Sequence, residues 1–221
     1  PPDLKDRMKT TYDAIAHTYN AVLGTVLDPI RLDYLNRLLV LLKASSSDTI
    51  NVLELGCGAG LPVTKTLLEH TDPTIHVTAN DLSPVQLDLA RKNLSPYVET
   101  GKLKLIEGDM TTLSFPPASF TAVLGFYSII HLPRDEQTVL LKKIGTWLKP
   151  GGYLLANFAA EEREVAVQER WLGEERGWAF WSAWDAEGSV GMVEGAGLEV
   201  LVREVRDWKG DASFLWVIGK K

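Results

Sequence analysis

The run Gly56-Cys57-Gly58-Ala59-Gly60 stands between an apolar stretch and a helical one. Glycines at alternate positions let a backbone turn tightly and approach a ligand with no room for a Cβ. A plain tight turn would use the same residues; what favours a ligand is the position at the end of the first strand of a βαβ series. A dinucleotide fits poorly, because the third glycine of that fingerprint is replaced by Leu61. Glu54, two residues before the loop, would repel a pyrophosphate and suits a ligand with a cationic amino-acid portion. Asn80-Asp81-Leu82-Ser83-Pro84 places a carboxylate 21 residues after Gly60, where it can accept both hydroxyls of a ribose. Asp81 and Ser83 could instead only cap the following helix; Ser83 directly before Pro84 has the pattern of a cap and leaves Asp81 for the ribose. In Glu107-Gly108-Asp109-Met110, Asp109 can accept from an exocyclic amine and Met110 can lie against a ring. Together these residues describe a site for a positively charged nucleoside.

The elements that must hold them are legible in the hydrophobic pattern. Strand-like runs fall at 49–55, 74–79, 103–107, 120–126 and 153–158, with helical stretches at 62–70, 84–94 and 135–148 between them. The last of these helices stops at Lys149-Pro150-Gly151-Gly152. This alternation predicts βαβ units, a parallel sheet and helices on both faces. Ahead of it, residues 5–22 read as an amphipathic helix carrying Tyr12, Ile15, Tyr19 and Val22, and 30–43 as a second, followed by the polar linker Ser45-Ser46-Ser47-Asp48. Behind it come a helix near 185–195 and two runs, 198–205 and 213–218, with the character of a terminal antiparallel hairpin. One domain is expected over 1–221: an N-terminal helical lid (1–44), a cofactor-binding core (45–158), a helical, aromatic substrate cover (159–190) and the terminal hairpin (191–221).

The chain has 221 residues, 45% hydrophobic and 24% charged, with one cysteine and a net charge of −6. A disulfide framework and a multi-cysteine metal cage are excluded, and no apolar run approaches the ~20 residues of a membrane span. The acidity argues against a nucleic-acid coat. It is also uneven, for eight acids against three arginines lie within 161–187, along with four of the seven tryptophans. Such a charge-rich segment reads as a solvated helix face. His17, His70, His76 and His131 are scattered, so no metal site is expected. Pro1-Pro2-Asp3-Leu4 has no signal-peptide core, which makes a cytoplasmic location the expectation. The missing initiator Met leaves a trimmed start open.

Taken in order, 52–60, 77–84, 105–110, 120–132 and 148–158 resemble the class I S-adenosylmethionine-dependent methyltransferases, in particular the small-molecule, ubiquinone-biosynthesis-like branch. The resemblance implies a Rossmann-like α/β fold with a seven-stranded, mostly parallel sheet, an antiparallel last strand and helices on both faces. It implies S-adenosyl-L-methionine as cofactor and S-adenosyl-L-homocysteine as product. Glu54, Gly56, Cys57, Gly58 and Gly60 would hold the methionine portion, Asp81 the ribose, and Leu82, Asp109 and Met110 the adenine, with Tyr19 and Phe126 completing the set. Methyl transfer from a sulfonium is an in-line displacement in which alignment supplies much of the acceleration. A general base is needed only for a protonated acceptor.

Residues 110–133 contain no Asp, Glu, Lys or Arg. An uncharged wall there suits a neutral, even aromatic, small acceptor methylated on O, N or S. Gly125-Phe126-Tyr127-Ser128 is not the Pro-Pro-aromatic clamp of nucleobase amino methylation, no glutamate pair stands ready for a guanidinium, and Cys57 is committed to the loop. His131 is the general-base candidate by position, although it could equally order the turn it occupies. Tyr12, Tyr127, Trp181 and Trp184 are the candidate substrate contacts, with core packing as their plain alternative. A protein or RNA methyltransferase, a non-catalytic cofactor-binding subunit and a nicotinamide oxidoreductase are the competing readings, in that order. Neither acceptor nor oligomeric state is fixed by the sequence.

Overall fold

The computed structural model describes residues 3–24, 28–44, 48–208 and 212–221. The Ser45–Ser47 part of the expected linker lies outside them. Helices are α1 (Leu4–Tyr19), α2 (Pro29–Leu42), α3 (Val63–Glu69), α4 (Pro84–Asn93), α5 (Ser95–Glu99), α6 (Arg134–Trp147) and α7 (Ala186–Glu194). Strands are β1 (Thr49–Leu55), β2 (Thr74–Asp81), β3 (Leu103–Glu107), β4 (Phe120–Gly125), β5 (Leu148–Ala159), β6 (Arg163–Glu169), β7 (Trp178–Ala183), β8 (Glu199–Trp208) and β9 (Ala212–Lys220).

Seven strands form one sheet in the order β3-β2-β1-β4-β5-β9-β8. The first five are mutually parallel, and β9 runs antiparallel to both of its neighbours. Each buried strand feeds two cores by alternation. Ile50 and Val52 of β1 join the cluster under α2 and α3, where Tyr34 stacks on Trp216 at 4.6 Å. Leu53 and Leu55 join the cluster with α6 and α7 through Leu140, Ile144 and Val193. β5 starts at Leu148, five residues earlier than its apolar run: Leu148 pairs with Phe120, and the Pro150-Gly151-Gly152 turn then shifts the register so that Tyr153 meets Ala122.

The 159–190 segment corrects an expectation. Up to Asp185 it has no α-helix; β6 and β7, joined through a single 3-10 turn at Trp171–Gly173, form a separate antiparallel hairpin, with Val167 opposite Phe180 and Glu169 opposite Trp178. Aromatic and β-branched residues favour a pleated surface, and the charge run has no helical period to compete with that. β6, with Glu164 and Glu169, is almost wholly exposed, while β7 buries Trp178, Phe180, Ser182 and Ala183. Leu4 and Met8 of α1 close over Trp178 and Phe180 as a third small core. Among the described residues no helix is long and apolar enough to cross a membrane.

Candidate active site

The glycine loop leaves β1 with Gly56, Gly58 and Gly60 all at positive φ (74°, 54° and 76°). A Cβ on Gly56 would run into the Ser128 side chain, whereas at Gly58 the backbone conformation alone demands glycine. The loop is tied to the end of β2, where the Asn80 carbonyl accepts from the amides of Gly56 (2.8 Å) and Cys57 (2.9 Å). Asp81 accepts from Gly58 N at 2.8 Å and from Ser83 N at 2.9 Å, while Ser83 Oγ caps α4 through Gln86 N at 3.2 Å. The cap and the carboxylate thus divide their work between the two residues.

A cavity opens beside this loop. Gly56, Gly58, Asp81, Leu82, Asp109, Met110, Phe126 and Tyr19 line it, as do Tyr12, Tyr127 and His131. A second, larger cleft is walled by Tyr12, Tyr19, Tyr127, His131, Trp171, Trp181 and Phe214. The two share Tyr12, Tyr19, Tyr127 and His131. Tyr127 is held at this junction at φ +51°, unusual for an aromatic residue. Its amide donates to Asn157 Oδ1 at 2.7 Å and its hydroxyl to Asp28 Oδ2 at 2.8 Å.

His131 Nδ1 lies 2.7 Å from the Phe180 carbonyl, which only a protonated nitrogen can satisfy. Nε2 is therefore the acceptor in the neutral ring, and Tyr12 Oη donates to it at 3.0 Å. Burial pulls the His131 pKa down to about 4, against the opposing pull of the Phe180 carbonyl. Burial pushes Tyr12, Tyr19 and Tyr127 above the ordinary phenol range, so all three hold their protons.

The acids divide as well. Burial raises Asp81 to about 6, though the amides of Ser83 and Gly58 oppose the rise. Glu54 is raised to about 7 by burial, with the Thr64 hydroxyl (2.6 Å) pulling the other way. Burial would also raise Asp109, but Lys5 Nζ at 2.8 Å and the Thr111 amide and hydroxyl outweigh it and hold its carboxyl below the usual range.

Four expected residues do not line either cavity. Glu54 is turned into the protein toward Thr64, and its charge reaches the loop only through space. Cys57 packs into the core under α2 and α3, and Gly60 faces Leu94 and Ala90. Trp184 packs against the α6–α7 core beneath Arg134, 4.7 Å from the ring centre, so its assignment as a substrate contact is withdrawn. Lys5, Met8, Gln86, Ser128 and Arg31 also line the cavities, as does Trp171 from the tryptophan-rich segment 161–187. Ser128 is signalled by its place just after the uncharged strand, whereas Lys5 and Met8 sit in a lid that docks on the β6–β7 hairpin, an element with no clear sequence pattern.

The geometry agrees with the comparisons. Residues 52–152 match the family model for a methyltransferase domain. That segment carries a methyltransferase domain of the class I S-adenosylmethionine-dependent type. It is 34% identical over 103 residues to sterol 24-C-methyltransferase erg-4 of Neurospora crassa, covering 47% of this chain and 26% of that protein. It is 30% identical over 117 residues to carboxy-S-adenosyl-L-methionine synthase of Aeromonas hydrophila, covering 52% and 46%. The chain thus spans less than half the length of these curated relatives. The Burkholderia thailandensis 1,6-didemethyltoxoflavin-N1-methyltransferase, solved with 1,6-didemethyltoxoflavin and S-adenosylhomocysteine bound, superimposes with a TM-score of 0.70 at 16% identity, covering 99% of this chain and 87% of that one. The family's cofactor is S-adenosylmethionine, and the first cavity suits it: a glycine cradle without Cβ atoms, a carboxylate at the strand end for a ribose, and an apolar slot at Leu82, Met110 and Phe126.

Proposed function

We propose that this protein transfers the methyl group of S-adenosylmethionine to an oxygen, nitrogen or sulfur atom of a small, neutral, planar acceptor held in the second cleft. The observation that carries the reading is the meeting of the two cavities at Tyr12, Tyr19, Tyr127 and His131. Charges in the second cleft are engaged within the chain: Arg163 with Glu161 at 3.1 Å, Arg31 with Asp28 at 3.9 Å, and Asp207 with the Ser213 hydroxyl at 2.7 Å. A neutral acceptor therefore need break no ion pair to enter.

The bound cofactor would supply a sulfonium methyl, whose C–S bond breaks with the electron pair left on sulfur as the acceptor's lone pair forms the new bond. The chain's own work is alignment. Asp81 would accept from the ribose, Leu82, Asp109 and Met110 would hold the adenine, Gly56, Gly58 and Phe126 would frame the thioether end, and Glu54 would favour the ammonium electrostatically. Trp181, Tyr127 and Tyr12 would flank the acceptor, burying an apolar ring against aromatic faces.

His131 Nε2 would accept a hydrogen bond from the acceptor in place of Tyr12 and so aim the attacking atom. With a pKa of about 4 it is a weak base. It need not be a strong one, since an oxygen that has just gained a methyl is far more acidic than an imidazolium and gives up its proton to Nε2, and from there to water.

Incubation with methyl-labelled S-adenosylmethionine and a panel of neutral phenols and nitrogen heteroaromatics tests this, with total RNA and protein as parallel acceptors. Label should enter small molecules. Label found only in RNA or protein, or in nothing, contradicts the proposal.

A further inference from the structure

The six tryptophans whose side chains are described sort into two groups. Trp147, Trp178 and Trp216 belong to buried core clusters, and Trp184 packs against one. Trp171 and Trp181 belong to none and instead line the second cleft, in edge contact with each other at 5.9 Å. Trp171 also touches Tyr12 (5.6 Å) and Tyr19 (5.8 Å), two of the residues at the junction of the cavities.

The backbone around Trp171 is strained. Among the described residues four that are not glycine have positive φ: Ala118, Tyr127, Arg170 and Leu172. Tyr127 lines both cavities, and Arg170 (52°) and Leu172 (58°) flank Trp171 on either side. A left-handed conformation is costly for a branched residue such as Leu172, and strain of this kind persists where surrounding contacts over-determine it. Here those contacts are specific. Trp171 N donates to the Gly177 carbonyl at 3.2 Å, and a Cβ on Gly177 would collide with the Trp171 carbonyl. The Thr18 hydroxyl at the end of α1 donates to Glu174 Oε1 at 2.5 Å, fastening the same turn to the lid.

We infer that Trp171 is a specificity-determining residue: the strained β6–β7 turn drives its indole into the cleft as a fixed end wall, and that wall sets the largest ring system the acceptor site admits. The inference rests on the aromatic-acceptor reading. Trp171 contributes to no core, so its truncation enlarges the cleft while the sheet beneath is untouched. Tyr12 keeps its bond to His131, and Trp181 stays on β7, which is fixed by the Gln137 amide donating to the Ser182 carbonyl at 2.9 Å.

The test uses the whole chain loaded with S-adenosylhomocysteine and measures calorimetric binding of phenol, 1-naphthol and 1-hydroxypyrene to wild type, Trp171→Phe and Trp171→Ala. Hydrophobic pockets discriminate by roughly ten- to a few-hundredfold per steric feature, so Trp171→Ala should shift the 1-hydroxypyrene-to-phenol affinity ratio at least about tenfold toward the larger ring. Trp171→Phe should shift it less, in the same direction. An unchanged ratio in both variants, with probes bound, overturns the inference and leaves the acceptor reading intact. Probes that bind no protein at all overturn the acceptor reading, and this inference with it. Loss of S-adenosylhomocysteine binding in both variants would make Trp171 a structural support and overturn the inference as well.

Discussion

At Gly56 a single missing Cβ lets the Ser128 side chain sit against the loop while Ser128 Oγ donates to the Leu55 carbonyl at 2.7 Å. Gly56→Ala should therefore both strain a positive φ and displace Ser128, costing about 1–3 kcal/mol in chemical denaturation. Ser128→Gly in the same chain should restore part of that loss, and no restoration would mean that the φ requirement alone is responsible. Glu54 gives a second test. Its folded-state pKa of about 7 exceeds the ordinary 4.5, so its contribution to stability is fully present below the unfolded value and is lost as pH rises through 7. Glu54→Gln removes the buried charge and should gain about 2 kcal/mol at about pH 8 over its effect at about pH 5, read from denaturant midpoints. His131 runs the other way: its pKa is lowered from 6.5 to about 4, so stability falls as pH drops through that window. Nitrogen-resolved NMR should find the Nδ1–H tautomer throughout the neutral range; titration near 6.5 would contradict the buried pair with Tyr12.

Helix α1 is clasped from two sides. Lys5 to Asp109, Lys9 to Glu107 at 2.6 Å and Ser83 to Asp13 at 2.5 Å fasten it to the strand ends that shape the cofactor cavity. Arg7 to Glu169 at 2.8 Å and the packing of Leu4 and Met8 on Trp178 and Phe180 fasten it to the hairpin. Exposed ion pairs contribute little, so the apolar contacts should dominate. Met8→Ala is predicted to raise hydrogen exchange in α1 and in β6–β7 while β1, β4 and β5 keep their protection. Uniform loss across the sheet would show that lid and sheet unfold together. The same elements mark where sequence reasoning succeeded. β4 and the second half of β1 are buried on both faces and declare themselves as apolar runs, and Ser83-Pro84 marks the start of α4. The hairpin was not legible because its signal is split: β6 puts acids outward, β7 is aromatic on both faces, and neither alternates cleanly. Trp178 and Trp184 look identical to Trp171 and Trp181 in sequence, and only tertiary packing separates wall from core.

Over the whole molecule, the net charge of −6 says little about the catalytic core, because eight acids against three arginines fall within 161–187, on and around the hairpin. The sheet order puts the ends of β1, β2 and β4 side by side, which gathers Gly56, Asp81 and Tyr127 around one cavity although they are far apart in the chain. The central claim is that Asp81, desolvated at the end of β2, is the ribose-binding carboxylate of an S-adenosylmethionine site. Calorimetric titration of wild type and Asp81→Asn with S-adenosylhomocysteine tests it most directly. Wild type should bind, and the variant should lose at least about tenfold in affinity, because a charge-assisted hydrogen bond contributes roughly 1.5–3 kcal/mol. Equal affinity in the two proteins, or no binding by wild type, would contradict the account.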